Sequence, residues 1–361
     1  MLDKRYRVRY VNKNVMQIPG NLIITKSDEI VLNRLRGFIP DKVFDIHAHL
    51  YDTAYMPTTM AGQNSIFEDC GVVADRNAYT RLQGPLYPGI KTLRLNLVSA
   101  PDASMSDRSN GNRARCNDFL VRHLDQNPDD VGEAFVLPDD SDEDIKNLLV
   151  HPNIKGFKCY HVTAKNKPTW QAEISEYLPE SAWRAADSHG MCMTLHMVKD
   201  AALADPGNQK IITDKTREYR NAKLILAHAG RGFAAWTAFE GVKKLSDFSN
   251  IYFDVSAVCE PTAILAVLKA AGPGRVLWGS DFPVSMMRGK CISMADSFIW
   301  LDRPILEKLG TEQAACANLV GVESLNALAQ ACDLLNLSRK EVEDIFYNNA
   351  IDILGLRSES V

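Results

Sequence analysis

The 361-residue sequence has no run of about 18 uninterrupted apolar residues, the length that a membrane-spanning helix needs. It has no basic excess either, because 41 Lys and Arg stand against 45 Asp and Glu, for a formal net charge of −4. Nucleic acids and anionic membrane surfaces favour a basic face on their partners. The sequence therefore predicts a protein that binds neither nucleic acid nor a membrane.

The eight cysteines are scattered along the chain and form no C-x-x-C pair. Disulfide frameworks and zinc knuckles depend on clustered cysteines, so these residues are better interpreted as buried thiols in a reducing compartment. The first twenty residues include basic side chains but no apolar core of the signal-peptide type. From these absences we expect a cytoplasmic protein.

Short, nearly continuous apolar runs recur along the chain, and each is followed by a polar loop and then by a helical pattern. Such runs are typical of parallel strands that are covered on both faces. The predicted strands are 42–50, 91–99, 132–138, 154–162, 191–198, 223–229, 251–256 and 275–283. The clearest predicted helices are 141–151, 179–190 and 260–272, and the last two end in glycine, a common helix stop.

Eight strands that alternate with helices predict a (β/α)8 TIM barrel. A doubly wound open sheet is the alternative, but no glycine-rich phosphate-binding turn follows the first strand. We expect residues 1–41 to be a small N-terminal extension packed on the barrel, and residues 42–361 to be one barrel domain that ends in helices. Two long connections, 50–90 and 99–112, follow the first two strands, where barrel loops often carry substrate contacts.

Histidines and one aspartate lie at or near the predicted carboxyl ends of four strands. His47 and His49 belong to the first strand, and residues i and i+2 of a strand point to the same side. His196 lies in the fifth strand, His228 in the sixth, and Asp281 at the end of the eighth. These strand ends converge in a barrel. Three imidazoles and a carboxylate suit a divalent cation, so the pattern predicts a metal site made of His47, His49, His196 and Asp281.

Each part of this pattern is weak by itself. An HxH pair can occur by accident in a buried strand, and a lone histidine is more often a hydrogen-bonded core residue than a ligand. Asp281, in the segment GSDFP, could cap a helix instead. The metal prediction depends on the combination, because all the parts lie at strand ends in one consistent register. Asp281 could also accept the proton of a water that the metal activates.

The segments DIHAHL, TLHM, LAHAG and VLWGSDFP, in this order and spacing, resemble the amidohydrolase superfamily. The similarity is greatest to its amidohydrolase-related branch, which includes aminocarboxymuconate-semialdehyde decarboxylase. It extends over about 42–285 and the tail FYNNAIDILGL. The resemblance implies one metal held by His47, His49, His196 and Asp281, with His228 as a general acid or base that does not bind the metal. It also implies a homodimer or homotetramer. Zn²⁺ is the expected ion, and Mn²⁺ or Fe²⁺ would also suit these ligands.

Lys158 lies in the fourth predicted strand, IKGFKCYHV, and has three interpretations. Binuclear amidohydrolases often bridge two metals with a carboxylated lysine from this strand. The resemblance favours an ordinary ammonium that contacts an anionic group of the substrate, and a lysine that snorkels at the barrel rim is the third interpretation. Tyr160 and Arg231 are further candidate substrate contacts, since a guanidinium near His228 would match a substrate carboxylate.

Three functions are consistent with this pattern. The leading hypothesis is a metal-dependent hydrolase that directs an activated water at an ester, lactone or amide of a small carboxylated compound. A metal-dependent lyase that decarboxylates or hydrates an unsaturated or aromatic carboxylic acid is the alternative. A non-catalytic barrel with a structural metal is the third, but closed structural zinc sites favour cysteine ligands at short spacing, which this chain lacks.

Overall fold

Eight parallel strands pair in the order of the sequence in the computed structural model, which describes residues 24–61, 65–310 and 317–356. The strands are β1 Lys42–Ala48, β2 Thr92–Val98, β3 Val131–Phe135, β4 Ile154–Tyr160, β5 Cys192–His196, β6 Lys223–Leu226, β7 Ile251–Asp254 and β8 Val276–Leu277. The amide of Ile46 donates to the carbonyl of Trp278 at 3.0 Å, which joins β1 to β8. The predicted (β/α)8 barrel is confirmed, and each of the eight predicted strands overlaps an observed strand.

The helices that surround the strands are α1 Lys26–Leu35, α2 Pro57–Ala61, α3 Ser65–Cys70, α4 Arg76–Gln83, α5 Asn112–Gln126, α6 Asp142–Leu148, α7 Glu180–His189, α8 Pro206–Glu218, α9 Ala235–Val242, α10 Pro261–Ala271, α11 Arg303–Leu309, α12 Val320–Leu334, α13 Arg339–Glu343 and α14 Asn349–Ile353. The three predicted helices are α6, α7 and α10. A capping box at Ser141 starts α6, and Gly190, with φ of 63°, ends α7 in the left-handed conformation that glycine tolerates. Among the described residues, no helix combines the length and the apolar character needed to cross a membrane.

The last helix, α14, lies against the end of the barrel at which the strands begin. One apolar cluster joins residues of five barrel strands to this helix: Phe44, Ile46, Val131, Cys192, Ile225, Leu277, Ala350, Ile353 and Leu354. Burying these side chains removes apolar surface from water at both the helix and the barrel floor. The floor is therefore filled, and the opposite end, where the strands finish, is left to hold polar side chains.

The long connections have structure of their own. Residues 50–90 contain α2, α3 and α4 and a short antiparallel pair, Tyr51–Asp52 with Val73–Ala74. After β8 the chain forms a hairpin, β9 Lys290–Met294 with β10 Ser297–Leu301, which the sequence did not predict. Its turn residue Ala295 has φ of 51°, so no glycine or asparagine marks the turn.

Helix α1 is tied to the region that follows β8. The buried Asp28 carboxylate accepts hydrogen bonds from Arg288 Nη1 at 3.0 Å and from the amide of Leu319 at 2.9 Å. These bonds are consistent with an N-terminal segment that packs on the barrel. Residues 1–23 of the predicted extension lie outside the described residues, so the boundary at residue 41 stays a prediction.

Candidate metal centre

His47, His49 and Asp281 meet at the carboxyl ends of β1 and β8. Nε2 of His47 lies 3.1 Å from Nε2 of His49, and Oδ1 of Asp281 lies 3.7 Å from the first nitrogen and 3.5 Å from the second. The backbone reinforces the approach, because the Asp281 amide donates to the His47 carbonyl at 2.8 Å. Three of the four predicted ligands thus form one small triangle, and all three residues are at least seven-eighths buried.

The hydrogen bonds on the far side of each imidazole show which nitrogen is free. Nδ1 of His49 lies 2.8 Å from the carbonyl oxygen of Val98, and Nδ1 of His47 lies 3.0 Å from a carboxylate oxygen of Asp254. Both partners only accept hydrogen bonds, so each Nδ1 carries the proton. Each Nε2 therefore presents a lone pair to the triangle. Burial lowers the pKa of His49 well below its ordinary value, so this imidazole stays neutral.

Two imidazole lone pairs and one carboxylate oxygen converge here, and no hydrogen-bond donor lies between them. These groups repel each other unless a positive charge lies among them. Nitrogen and oxygen ligands of a tetrahedral ion lie about 3.4 Å apart when each is about 2.1 Å from it. The triangle's edges of 3.1, 3.5 and 3.7 Å fit this spacing. Burial raises the pKa of Asp281 well above its ordinary value, which is the behaviour of a carboxylate that needs a counter-charge. These residues fit a divalent cation.

His196, the fourth predicted ligand, contacts His228, and His228 in turn lies beside the triangle. Its Nδ1 is 3.2 Å from Nε2 of His228, and its ring is 4.6 Å from the ring of Tyr160. Burial lowers the pKa of His196 well below its ordinary value, so it too stays neutral and able to bind a metal. Among the described residues His196 is not part of a compact ligand group, so its role as a ligand stays a prediction.

His228 lies beside the triangle in a strained turn. Its Nδ1 is 2.9 Å from the carbonyl oxygen of Ser256 and 4.0 Å from Oδ2 of Asp281. The carbonyl only accepts, so Nδ1 carries the proton and Nε2 is the basic nitrogen. His228, Ala229 and Gly230 have φ of 57°, 54° and 69°, a left-handed conformation that costs energy at the two non-glycine residues. The strand therefore ends at Leu226, three residues before the end that the sequence predicted.

A second group of ligand atoms, on His47, His228 and Asp254, is better described as a hydrogen-bonded network. The Ser256 hydroxyl lies inside it, 2.5 Å from Oδ1 of Asp254, 2.9 Å from Nδ1 of His228 and 3.3 Å from Nδ1 of His47. Burial alone would raise the pKa of Asp254, but His47, His228 and Ser256 outweigh it and hold that pKa far below its ordinary value. Asp254 is therefore an ionised carboxylate behind the predicted metal ligand His47.

Lys158 is fully buried in β4, and its ammonium has no hydrogen-bond partner in the part of the chain that the structure describes. Burial lowers the pKa of Lys158, and the carboxylates of Glu133, Asp254 and Asp281 oppose that shift. The ring of Tyr160 is a further favourable group, with its centroid 5.8 Å from Nζ. A side chain that snorkelled to the rim would reach water, so this interpretation is wrong. The ordinary ammonium and the carboxylated bridge both stay open.

Arg231 and Tyr160, the other predicted substrate contacts, lie on the side of His196. The guanidinium of Arg231 is held by the Lys199 carbonyl at 2.7 Å and lies between two rings, 5.8 Å from that of Trp170 and 5.3 Å from that of Phe298. This position fixes a cation near the mouth of the barrel. The ring of His161 lies 4.4 Å from that of Trp170, and Nε2 of His161 is buried without a hydrogen-bond partner among the described residues.

Sequence reasoning missed two carboxylates of this region, Asp254 and Glu133. Glu133 accepts hydrogen bonds from Asn96 Nδ2 and Thr194 Oγ1, both at 2.8 Å, and burial raises the pKa of Glu133 to about 7. Asp254 lies near the carboxyl end of the predicted strand 251–256, the same signal that identified Asp281, and could have been found by it. Glu133 lies in the middle of a short strand, where no pattern separates an inward carboxylate from a surface one.

The fold and the site define a class: barrel proteins that collect an HxH pair and a last-strand aspartate at the carboxyl ends of their strands, where barrels place active sites. The sequence matches the amidohydrolase family over residues 44–356, and the chain belongs to this family of metal-dependent enzymes. No curated protein is detectably similar to the chain in sequence.

Solved structures share the fold at low sequence identity. An amidohydrolase from Burkholderia multivorans with bound zinc has a TM-score of 0.56 and 14% identity, over 87% of this chain and 99% of that one. A candidate 2-pyrone-4,6-dicarboxylic acid hydrolase from Pseudomonas putida has a TM-score of 0.52 and 14% identity, over 89% and 100%. A dihydroxybenzoic acid decarboxylase from Polaromonas sp. JS666, with manganese and the inhibitor 2-nitroresorcinol, has a TM-score of 0.52 and 16% identity, over 88% and 98%.

Proposed function

We propose that the protein is a metal-dependent hydrolase that cleaves an ester, lactone or amide bond of a small carboxylated substrate. The observation that carries the proposal is the convergence of His47, His49 and Asp281 on one point with their lone pairs facing inward. His228 stands beside that point with Nε2 as its basic nitrogen. A cation held by His47, His49 and Asp281 would polarise a carbonyl group and would lower the pKa of water from about 15.7 toward about 7. We propose Zn²⁺, which suits nitrogen and oxygen ligands of this kind.

Asp281 and His228 have separate roles in proton transfer. One oxygen of Asp281 faces the two imidazoles, and the other lies 4.0 Å from His228, so this carboxylate can accept a proton from the attacking water. His228 cannot turn freely, because its Nδ1–H is held by the Ser256 carbonyl. Its bare Nε2 can therefore accept a proton, and the imidazolium formed in this way can then deliver that proton to the leaving group.

Two cations favour an anionic substrate. Lys158 contributes a buried ammonium without a hydrogen-bond partner, and a substrate carboxylate would supply that partner. Arg231 is held between two rings and, with Tyr160, lies on the neighbouring side of the site. We propose that Lys158, Tyr160 and Arg231 together bind the carboxylate of the substrate.

A panel of small lactones, esters and amides tests this proposal, each offered as the free carboxylic acid and as its neutral methyl ester. We expect turnover of at least one free acid, a lower kcat/KM for its methyl ester, and loss of turnover in His47→Ala, His196→Ala and Asp281→Ala. His189→Gln, at the exposed end of α7, is the matched control and should keep full activity. A hydrolysed substrate that Asp281→Ala still turns over at the wild-type rate would contradict the assignment.

A lyase that acts on an aromatic or unsaturated acid is the second candidate, and the aromatic wall of the site favours it. The ring of His228 stacks on Phe233 at 5.2 Å, and Phe233 contacts Phe298 at 5.4 Å and Trp300 at 5.3 Å. Flat rings pack well against such a wall. Release of carbon dioxide from aromatic acids, without hydrolysis of any ester, lactone or amide, would replace the hydrolase proposal with this one.

A further inference from the structure

Asp254 makes a different kind of contact from each of its two carboxylate oxygens. Oδ1 accepts from three donors: the amides of His228 at 3.1 Å and Ser256 at 3.0 Å, and the Ser256 hydroxyl at 2.5 Å. Oδ2 is 3.0 Å from a single donor, Nδ1 of His47. Both oxygens are fully buried with the rest of the side chain, so water cannot replace any of these partners.

We infer that Asp254 is the positioning residue of the metal centre, which fixes the Nδ1–H tautomer of His47 and thereby aims its Nε2 lone pair at the ion. The same carboxylate also holds the left-handed turn that carries His228, since its Oδ1 accepts the His228 amide. One side chain of β7 thus sets a predicted ligand and the predicted acid or base at once. The inference rests on the proposed metal site.

The asymmetry of the two oxygens makes one substitution diagnostic. In Asp254→Asn the amide has one acceptor and one donor end. Its oxygen is required by the three donors on the Oδ1 side, so its NH₂ group must face Nδ1 of His47. His47 then has to accept at Nδ1 and carry its proton on Nε2, where the proton points at the metal. The backbone contacts of the turn are kept, so the fold should be kept as well.

Asp45→Asn is the matched control. Asp45 is also a fully buried carboxylate close to His47, but Oδ1 accepts the amides of His47 at 3.1 Å and Ser280 at 2.8 Å, and Oδ2 accepts the Tyr79 hydroxyl at 2.5 Å. The Tyr79 hydroxyl can rotate its proton away and accept a hydrogen bond from the NH₂ group of an asparagine at position 45. The substitution therefore does not disturb an imidazole. Any loss of metal affinity that the two variants share therefore measures the loss of a buried charge alone.

Zn²⁺ affinity, measured in competition with a chromogenic chelator, is the first readout. We expect Asp254→Asn to bind Zn²⁺ about 10- to 100-fold more weakly than Asp45→Asn. The second readout is the ¹⁵N spectrum of metal-free protein labelled at histidine, with the His47 signals identified by their loss in His47→Gln. The wild type should show protonated Nδ1, and Asp254→Asn should show protonated Nε2.

The outcomes separate this inference from the proposed function. Equal Zn²⁺ affinities in the two variants, or protonated Nε2 on His47 in the wild type, would overturn the role of Asp254 even if the enzyme is active. The wild-type spectrum decides the question without any variant, should Asp254→Asn fail to fold. A wild type that has protonated Nδ1 but binds no Zn²⁺ would overturn the proposed function and leave the tautomer assignment standing.

Discussion

Replacing Lys158 by methionine should make the metal-free protein more stable and at the same time less active. The ammonium of Lys158 is fully buried and makes no hydrogen bond in the structure. A buried polar group without a partner costs about 1–3 kcal/mol, and more when it is charged. The contact with the Tyr160 ring, at 5.8 Å, returns about 0.5–1 kcal/mol. Methionine has nearly the same length and no charge. Because the substitution also removes the attraction of Lys158 to the carboxylates of Glu133, Asp254 and Asp281, we expect a smaller net gain of about 0.5–2 kcal/mol.

The size of the chain converts this gain into a small but measurable shift. At about 2.1 cal/mol/K per residue, the 361 residues unfold with an entropy of about 0.76 kcal/mol/K, so the Tm should rise by about 1–3 °C. Thermal and urea unfolding of chelator-treated protein would measure it. The loss of a charged partner for the substrate carboxylate should lower kcat/KM about 10- to 100-fold.

Lys155→Met is the control for the Lys158 substitution. Lys155 lies three residues earlier in β4, where alternation points it to the other face of the strand, and it is only partly buried. It should change neither the stability nor the activity appreciably. A fall in stability in Lys158→Met, or full activity, would refute the interpretation of Lys158 as a buried ammonium kept for its substrate. Loss of metal from the same variant would favour the carboxylated bridge instead.

Other substitutions test separate parts of the account. His228→Gln should keep the metal and lose about 10²- to 10⁴-fold in turnover, and loss of the metal would make His228 a ligand. Burial lowers the pKa of His161 to about 4, so the unfolded chain takes up a proton there that the folded protein refuses. The contribution of the neutral His161 side chain to stability is complete above about pH 6.5 and is lost as the pH falls toward 4. In urea unfolding, His161→Gln should therefore be more stable relative to the wild type at pH 4.5 than at pH 7.5. The same pH dependence of stability in both proteins would contradict this. Gly156→Ala would place a Cβ in steric overlap with the Cys192 carbonyl oxygen and should lose about 1–3 kcal/mol of unfolding free energy in the same assay. Wild-type stability in this variant would contradict the close packing of β4 on β5.

The barrel and the core of its site could be predicted because they depend on local periodicity. Apolar runs identified the eight strands, and the alternation of side chains in β1 placed His47 and His49 on one side, as their 3.1 Å separation confirms. Asp281 followed from its position at a strand end. These features need only the sequence of one strand and the rule that strand ends converge.

The features that were missed depend on contacts between distant segments. Strand β6 ends early because His228 and Ala229 adopt left-handed conformations that neither residue type favours, and the Asp254 carboxylate on another strand holds the turn. The hairpin of β9 and β10 likewise has a turn without glycine. The burial of Lys158 could not be predicted, because a lysine in a strand gives no sign of whether its end reaches water.

Metal content tests the central claim most directly. Elemental analysis of purified wild type, His47→Ala and Lys158→Ala should find about one transition metal per chain in the wild type and in Lys158→Ala, and none in His47→Ala. Two metals in the wild type, with one lost in Lys158→Ala, would contradict the mononuclear site and make Lys158 a bridging ligand. A wild type that takes up no metal under any supplementation would contradict the proposed mechanism and leave only the barrel.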